Sequence, residues 1–264
     1  MVNVTFHGVR AAGGPPVGRR GERYGSHTTC VAVEVPKGGT ILLDLGTGAA
    51  RWAATTLTAG LPLAACALVT RAPGPSVAGL GGLGPGADLE LYGPRPAAGR
   101  LADALAAGRT GPSLRTVTVE DEELAVGDAK VTVRTLAPAE GDVGPANGYR
   151  VEWDGVSVAY VNAAPALAAP DRVASEVLEL ADGADLFVAG AVVGAGADDA
   201  ATAEHAVLAA REAGARLLAL CALAPSSADD AVDRLVAGTR RTAERLGVDE
   251  VVAAAEGTTV SFDR

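Results

Sequence analysis

Strand-length runs of aliphatic and β-branched residues recur along this chain, and their spacing changes between its two halves. In the first half the runs follow one another closely, beginning with an alternating segment at residues 2–6. In the second half they alternate with helix-length segments, as where a helix near 170–181 precedes a strand at 185–189. This order predicts two packed sheets with outer helices. Because no change in composition marks a linker, the sequence predicts an α/β fold in a single domain over residues 1–264.

Turn and breaker residues predict several element boundaries. The turns at residues 36–39 and 154–155 predict hairpins, and an Asp-Leu-Gly-Thr-Gly turn at 44–48 leads into a helix near 49–58. A further helix is predicted over 97–107. Residues 10–26 are rich in Gly, Pro and Arg and predict a long surface loop.

Two later helices carry predicted caps. Thr202 is predicted to cap a helix that ends at Gly214. Ser226 or Ser227 is predicted to cap the last long helix, which Gly247 ends.

Charge and cysteine content restrict the partners and the compartment. The chain has 22 Lys and Arg against 32 Asp and Glu, a net charge of −10 without a basic run, so we expect no nucleic-acid partner. No apolar stretch reaches the roughly 18 residues of a membrane span, so we expect no membrane partner. The first residues show a strand pattern rather than a signal peptide, and the three cysteines lie in apolar runs. These features predict a cytoplasmic protein with reduced, buried thiols.

Short segments spread along the chain resemble, in the same order, segments of one known family. The opening strand, the loop into the second strand, the Asp-x-Gly-x-Gly turn and a final Glu-Gly-Thr are among them. The matching ranges are 4–10, 23–30, 42–48, 89–94, 148–152, 158–161, 202–206 and 256–258. The chain resembles the phosphodiesterase and ribonuclease Z-like branch of the metallo-β-lactamase fold superfamily. The resemblance implies an αββα four-layer sandwich with the active site along one edge.

The same resemblance implies a site for two metal ions, and the first ligand motif is altered here. Active members carry Thr-His-x-His-x-Asp-His after a strand, because zinc-like ions take nitrogen and oxygen donors and activate a bridging water. This chain has the strand and Thr70, and the four ligand positions then hold Arg71, Pro73, Pro75 and Ser76. Proline has no ligating side chain, and arginine is a permanent cation.

The remaining ligand positions are also changed. The His expected near residues 136–139 is absent, the bridging Asp corresponds to Ala163, and the last His corresponds to Ala222. The chain contains only three histidines, at positions 7, 27 and 205, and none is near another in sequence. A metal site would need Asp and Glu alone, so the sequence predicts no metal and no other cofactor.

Polar residues at these positions are the candidate binding residues. Arg71 is either an ordinary loop arginine or a clamp for a carboxylate or phosphate. Ser76, Asn162, Ser226 and Ser227 are candidates for neutral hydrogen bonds around the same pocket. For Ser226 and Ser227 the capping role already suffices, although free N–H groups at that helix start also attract anions.

Other patterns favour structural roles. The Gly79-x-Gly81-x-x-Gly84 pattern matches a dinucleotide fingerprint in form, but a loop separates it from the preceding strand and Pro85 follows where a helix should begin. Asp44 lies in a turn that predicts a buried acceptor for backbone N–H groups. His27 is interpreted as a framework residue and His205 as a solvated helix residue.

The sequence therefore supports three hypotheses about function. The first is a metal-free, degenerate member of the family, not a metallohydrolase, that binds a small molecule in the pocket, with an anion as one candidate, or acts through protein contacts. The second is a metal-independent enzyme, such as a cyclase, isomerase or hydrolase, in the same pocket. The third is a metallohydrolase with unusual ligands. The resemblance also implies a homodimer, because many family members are dimers.

Overall fold

Two seven-stranded sheets form the centre of the computed structural model. It describes residues 1–11, 23–36, 38–72, 74–96, 102–103, 113–136, 144–163, 173–193 and 197–263, with backbone alone at 191–193 and 197–200. The strands are β1 (Val2–Gly8), β2 (Cys30–Val35), β3 (Gly39–Leu43), β4 (Ala64–Leu68), β5 (Asp88–Gly93), β6 (Ser113–Thr118), β7 (Glu123–Val126), β8 (Ala129–Leu136), β9 (Ala146–Trp153), β10 (Val156–Val161), β11 (Leu186–Val193), β12 (Leu217–Leu223), β13 (Glu250–Ala253) and β14 (Thr259–Phe262). The helices are α1 (Ala49–Thr58), α2 (Ser175–Ala181), α3 (Ala197–Ala213) and α4 (Asp229–Leu246).

The two sheets have the same mixed design. Sheet A has the order β14-β1-β2-β3-β4-β5-β6, and sheet B has the order β13-β12-β11-β10-β9-β8-β7. In sheet A the strands from β3 to β6 are parallel, and in sheet B the strands from β10 to β13 are parallel. Parallel neighbours need crossover connections, which α1 to α4 supply between β3 and β4 and along β10 to β13. The parallel strands therefore end at a shared edge of each sheet.

Small aliphatic side chains fill two cores. The larger core joins the inner faces of both sheets and continues under α2, α3 and α4. The smaller core lies between sheet A and α1, with Trp52 as its largest side chain. Tyr149, Tyr160 and Phe187 are among the few large side chains that are fully buried. The layers are thus helix, sheet, sheet and helices, which is the predicted αββα order.

Most predicted elements are present, and α1 has the predicted bounds of residues 49–58. Both predicted hairpins turn where expected, because β2 pairs with β3 and β9 pairs with β10. Gly247 ends α4 with a left-handed φ of 74°, as predicted for a C-terminal glycine. The predicted helix over 97–107 lies outside the described residues except for 102–103, which are helical.

Three local predictions are wrong. Thr202 does not cap α3 but lies inside it, because the helix begins at Ala197 and its alanine-rich start favours helix. Neither Ser226 nor Ser227 caps α4; Ala228 occupies that position without a side-chain hydrogen bond. Arg10, predicted to lie in a surface loop, is 1% exposed.

No helix in the described ranges combines the length and the apolar character needed to cross a membrane.

Candidate functional site

Strand ends from both sheets meet at one edge of the sandwich. We call this place the carboxyl edge and define it by residues at the ends of three strands: 69–72 and 74–76 after β4, 162–163 after β10, and 222–224 at the end of β12. Ligand sites of α/β proteins commonly lie beyond the carboxyl ends of parallel strands. The edge also contains Arg71, Pro75, Ser76, Ala163 and Ala222, which stand at positions that the sequence resemblance assigns to metal ligands.

Asp44 is the centre of a buried hydrogen-bond network at the carboxyl edge. Its carboxylate accepts the Thr70 backbone N–H at 2.7 Å on Oδ1 and the Thr70 hydroxyl at 3.1 Å on Oδ2. From sheet B, the Tyr160 hydroxyl donates to Oδ2 at 2.8 Å and the Asn162 amide at 2.7 Å. The Asn162 amide also donates to the Thr29 hydroxyl at 3.1 Å. We call these five residues the Asp44 network.

The surroundings of Asp44 act on its pKa in opposite directions. Burial raises the pKa of Asp44, and hydrogen bonds from Thr70, Asn162, Tyr160 and Ser76 lower it, with burial the larger effect. Burial and the nearby carboxylate raise the pKa of Tyr160 well above its usual range, so its hydroxyl stays a donor. Asp44 has no exposed surface. It therefore supports the structure and does not offer a carboxylate to a molecule in solution.

Backbone geometry shows how closely the chain packs around this network. Asp44 has a left-handed φ of 61°, which Asp tolerates better than most residues. A Cβ on Gly190 would lie 2.5 Å from the Asn162 amide oxygen, so only glycine fits beside Asn162. A Cβ on Gly79 would lie 2.0 Å from the Gly46 carbonyl oxygen. Gly79, from the dinucleotide-like pattern, thus packs against the turn that carries Asp44.

Arg10 joins the end of β1 to the start of α4. Its Nε donates to the Gly25 carbonyl at 2.8 Å, and its Nη1 donates at 2.9 Å to the carbonyls of both Ala224 and Ser227. Burial lowers the pKa of Arg10, and the nearby Asp229 and Glu256 carboxylates oppose this. The Ser227 carbonyl therefore accepts a hydrogen bond from Arg10.

The donor set at the carboxyl edge does not fit a metal ion. Of the positions assigned to ligands, the described ones hold Arg71, Pro75, Ser76, Ala163 and Ala222. Pro75 and the two alanines have no donor atom, and the Ser76 side chain faces Asp44. Among the described residues, no group of three or more His, Cys, Asp and Glu side chains has an arrangement that holds a metal ion. Pro73 and residues 137–143 and 164–172 lie outside the described ranges.

Ala222 keeps an unusual backbone conformation. Its φ of 53° is left-handed, although it is neither glycine nor asparagine and its side chain is 4% exposed. Such a conformation costs a residue with a Cβ roughly 1–2 kcal/mol. The surrounding bonds hold it in place, since Leu223 donates to the Val9 carbonyl at 2.8 Å and its own carbonyl accepts from Ala11 at 2.8 Å.

The predicted binding residues fall into two groups. Asn162 and Ser76 contact the Asp44 carboxylate, and Arg71 follows Thr70 directly as a half-buried residue. Ser226 and Ser227 lie instead at the start of α4, where Ser226 is exposed and Ser227 is buried.

Sequence reasoning missed the side chains that complete both groups. Tyr160 lies 116 positions from Asp44, and its only signal was an inward place in an alternating strand. Arg10 had no signal, because an arginine beside Gly and Pro is typical of a surface loop. Two histidines were interpreted from the sequence as structural residues. The His27 ring contacts Thr47 at 3.3 Å, and the ring of the partly exposed His205 contacts the Ala201 carbonyl at 2.9 Å.

Solved structures with the same architecture cover nearly the whole chain. YhfI from Bacillus subtilis, a metallo-β-lactamase fold protein, has a TM-score of 0.70 at 18% identity over 99% of this chain and 100% of its own. A diphosphatase of the PhnP family has a TM-score of 0.64 at 16% identity over 100% and 98%. Zn²⁺-bound PqqB from Methylobacterium extorquens has a TM-score of 0.62 at 18% identity over 98% and 100%.

Sequence comparisons gave no match to a protein-family model and none to a curated protein. The structural likeness nevertheless settles the architecture: this chain has the metallo-β-lactamase fold. The predicted fold is confirmed.

Proposed function

We propose that this protein is a metal-free member of the metallo-β-lactamase fold superfamily that binds a small anionic molecule at the carboxyl edge. One observation carries the proposal. The positions that would hold metal ligands contain a guanidinium, two prolines, a hydroxyl that is bonded to Asp44 and two alanine methyl groups. Such a set cannot coordinate a cation, but it can attract an anion.

The charges at the edge support an anionic ligand. The carboxylate there, on Asp44, is buried and surrounded by donors. Arg71 adds a permanent positive charge and five N–H donors, so it can hold a protein group and still present donors to a ligand. The proposal therefore assigns the contact with the anion to the Arg71 guanidinium.

A metal-independent enzyme receives less support from the same residues. Such an enzyme needs an accessible nucleophile, acid or base. Thr70 and Ser76 are buried, and Asn162 does not titrate. Cys30 and Cys221 are buried, and burial raises the pKa of both thiols, that of Cys221 to about 12. These described groups favour binding over catalysis.

The metal-free part of the proposal is tested by mass. The protein is purified without metal-affinity resin or chelator, and its intact mass is measured under native conditions together with its elemental metal content. We expect less than about one tenth of an equivalent of metal, with a bare mass or an organic adduct. One or two equivalents of zinc, manganese or iron would contradict the proposal.

The binding part is tested with pyrophosphate and citrate as probes, by calorimetric titration of three proteins. We expect Arg71→Met to weaken binding at least about tenfold, because charge-assisted hydrogen bonds are lost. Arg115→Met is the matched control, since Arg115 is an exposed residue of β6 paired with Glu90 at 3.0 Å. Equal affinities for wild type and Arg71→Met would count against an anion site at the edge.

A further inference from the structure

A groove on the outer helices lies apart from the carboxyl edge. It has a volume of about 560 Å³ and lies along one face of α4, with Glu204 of α3 at its rim. Arg234, Gly238, Arg241 and Arg245 follow one another along this face at intervals of four, three and four residues. That spacing places them in one stripe on a helix. The volume lies in the range of small-molecule sites.

Three arginines line this groove, and the Glu204 carboxylate lies among them. Arg234, Arg241 and Arg245 are exposed, and within the described part of the chain none forms an ion pair. Inside the groove, Arg245 Nη2 donates to the Thr242 hydroxyl at 3.0 Å. Because the whole chain has a net charge of −10, a groove lined by three arginines and one glutamate is contrary to its composition.

Gly238 keeps the middle of the groove open. Glycine inside a helix costs roughly 0.5–1 kcal/mol relative to alanine. The fold does not require it, because a Cβ built there would find its nearest neighbour at 3.8 Å, the tip of Arg241. The missing side chain therefore weakens α4 and leaves room between the arginines. A loss of stability without a packing reason is typical of a binding surface.

We propose that this groove binds a small molecule that carries a chain of two or more phosphoryl groups. Arg241 and Arg245 lie one turn apart, about 6 Å along the helix, so both can contact neighbouring phosphoryl groups, and Arg234 lies about 10 Å beyond Arg241. Guanidinium groups hold phosphate oxygens in pairs of hydrogen bonds. Leu235 gives the groove an apolar wall, and the Glu204 carboxylate can accept a hydroxyl of the ligand.

The experiment uses inorganic tripolyphosphate as the probe, with inorganic phosphate for comparison. Calorimetric titration of the full chain should show one tripolyphosphate site that depends on the groove arginines. Inorganic phosphate should bind there at least about tenfold more weakly. Arg241→Met should weaken tripolyphosphate binding at least about tenfold, and Arg115→Met should leave it unchanged. Equal affinity for phosphate and tripolyphosphate would overturn the proposal, since one charge contact would then suffice.

Substitutions of Gly238 separate binding from folding. Gly238→Ala should raise the melting temperature and keep binding, because the methyl group has room. Gly238→Leu should also fold, since leucine favours helix, but should abolish binding by filling the groove. Glu204→Gln should tighten tripolyphosphate binding by removing a like charge. Undiminished binding by Gly238→Leu would contradict the groove as the site.

Arg71→Met distinguishes this proposal from the one for the carboxyl edge. Tripolyphosphate binding that depends on Arg241 and not on Arg71 supports the groove, whatever occupies the edge. Binding that depends on Arg71 and not on Arg241 overturns the groove and leaves the proposed function standing.

Discussion

The Asn162 amide donates to the Asp44 carboxylate at 2.7 Å and so joins the two sheets at their carboxyl edge. Asp44 follows β3 in sheet A, and Asn162 follows β10 in sheet B. Tyr160 makes a second bond of the same kind at 2.8 Å. A buried carboxylate with several donors is a demanding arrangement, because each donor removed leaves charge without compensation. The network therefore links the two sheets through side-chain hydrogen bonds at this edge.

Replacement of Asp44 by Asn should destabilise the protein by about 2–4 kcal/mol. Asparagine tolerates the left-handed backbone of this position, so the change adds no strain there. It replaces an acceptor oxygen with an NH₂ group, which then meets donors from Thr70, Tyr160 or Asn162. Urea unfolding measures the effect, and Asp88→Asn at an exposed position is the control. A loss below about 1 kcal/mol would show that the carboxylate is not the centre of the network.

The backbone strain at Ala222 should appear in a pair of glycine substitutions. Ala219→Gly, in the same strand and fully buried, should cost about 1–2 kcal/mol through chain entropy and a lost methyl group. Ala222→Gly should cost about 1–2 kcal/mol less than that, because glycine relieves the left-handed φ of 53°. Equal costs in thermal or urea unfolding would mean that Ala222 stores no strain.

Stability should fall in mild acid because of His7. Burial, helped by the Arg51 charge, lowers the pKa of His7 from 6.5 to about 4. His7 therefore binds a proton more readily in the unfolded chain than in the folded protein. The stabilisation from neutral His7 is complete above its pKa in the unfolded chain and is lost as the pH falls toward its pKa in the folded protein. Between about pH 7 and about pH 5, we expect His7 to account for a loss of about 1–2 kcal/mol.

The control for this pH effect is His7→Gln, which does not titrate. Urea midpoints of both proteins across this pH range isolate the His7 contribution from that of the carboxylates. If wild type and variant lose stability in parallel, His7 titrates normally in the folded protein.

The thiols should resist modification in the native state. Cys30, Cys66 and Cys221 are free and buried, as predicted from the sequence. Burial raises the pKa of the Cys66 and Cys221 thiols to about 12, so almost no thiolate exists at neutral pH. A colorimetric disulfide reagent should label none of the three within minutes and all three after unfolding. Rapid labelling of native protein, traced by peptide mapping, would identify an accessible cysteine.

Much of the fold could be predicted because it depends on local patterns. Alternating and aliphatic runs predicted the strands, and Gly247 predicted the end of α4. The helix at 49–58 followed from the turn before it. Local propensity was less reliable at helix starts, since Ala228 occupies the cap position of α4 and α3 begins at Ala197, before Thr202. Tertiary packing overrides a propensity of a few tenths of a kcal/mol.

The sequence by itself determined which residue types stand at the ligand positions of the carboxyl edge, since the identity of a side chain does not depend on its surroundings. It also determined which residues follow each strand. Only the tertiary structure decided that Asp44, Tyr160 and Asn162 meet, because their contacts span 116 and 118 positions of the chain. Tertiary structure likewise buried Arg10, whose partners come from the end of β12 and the start of α4. Hydrogen bonds act over about 3 Å, so a network of distant residues exists only once the two sheets have packed.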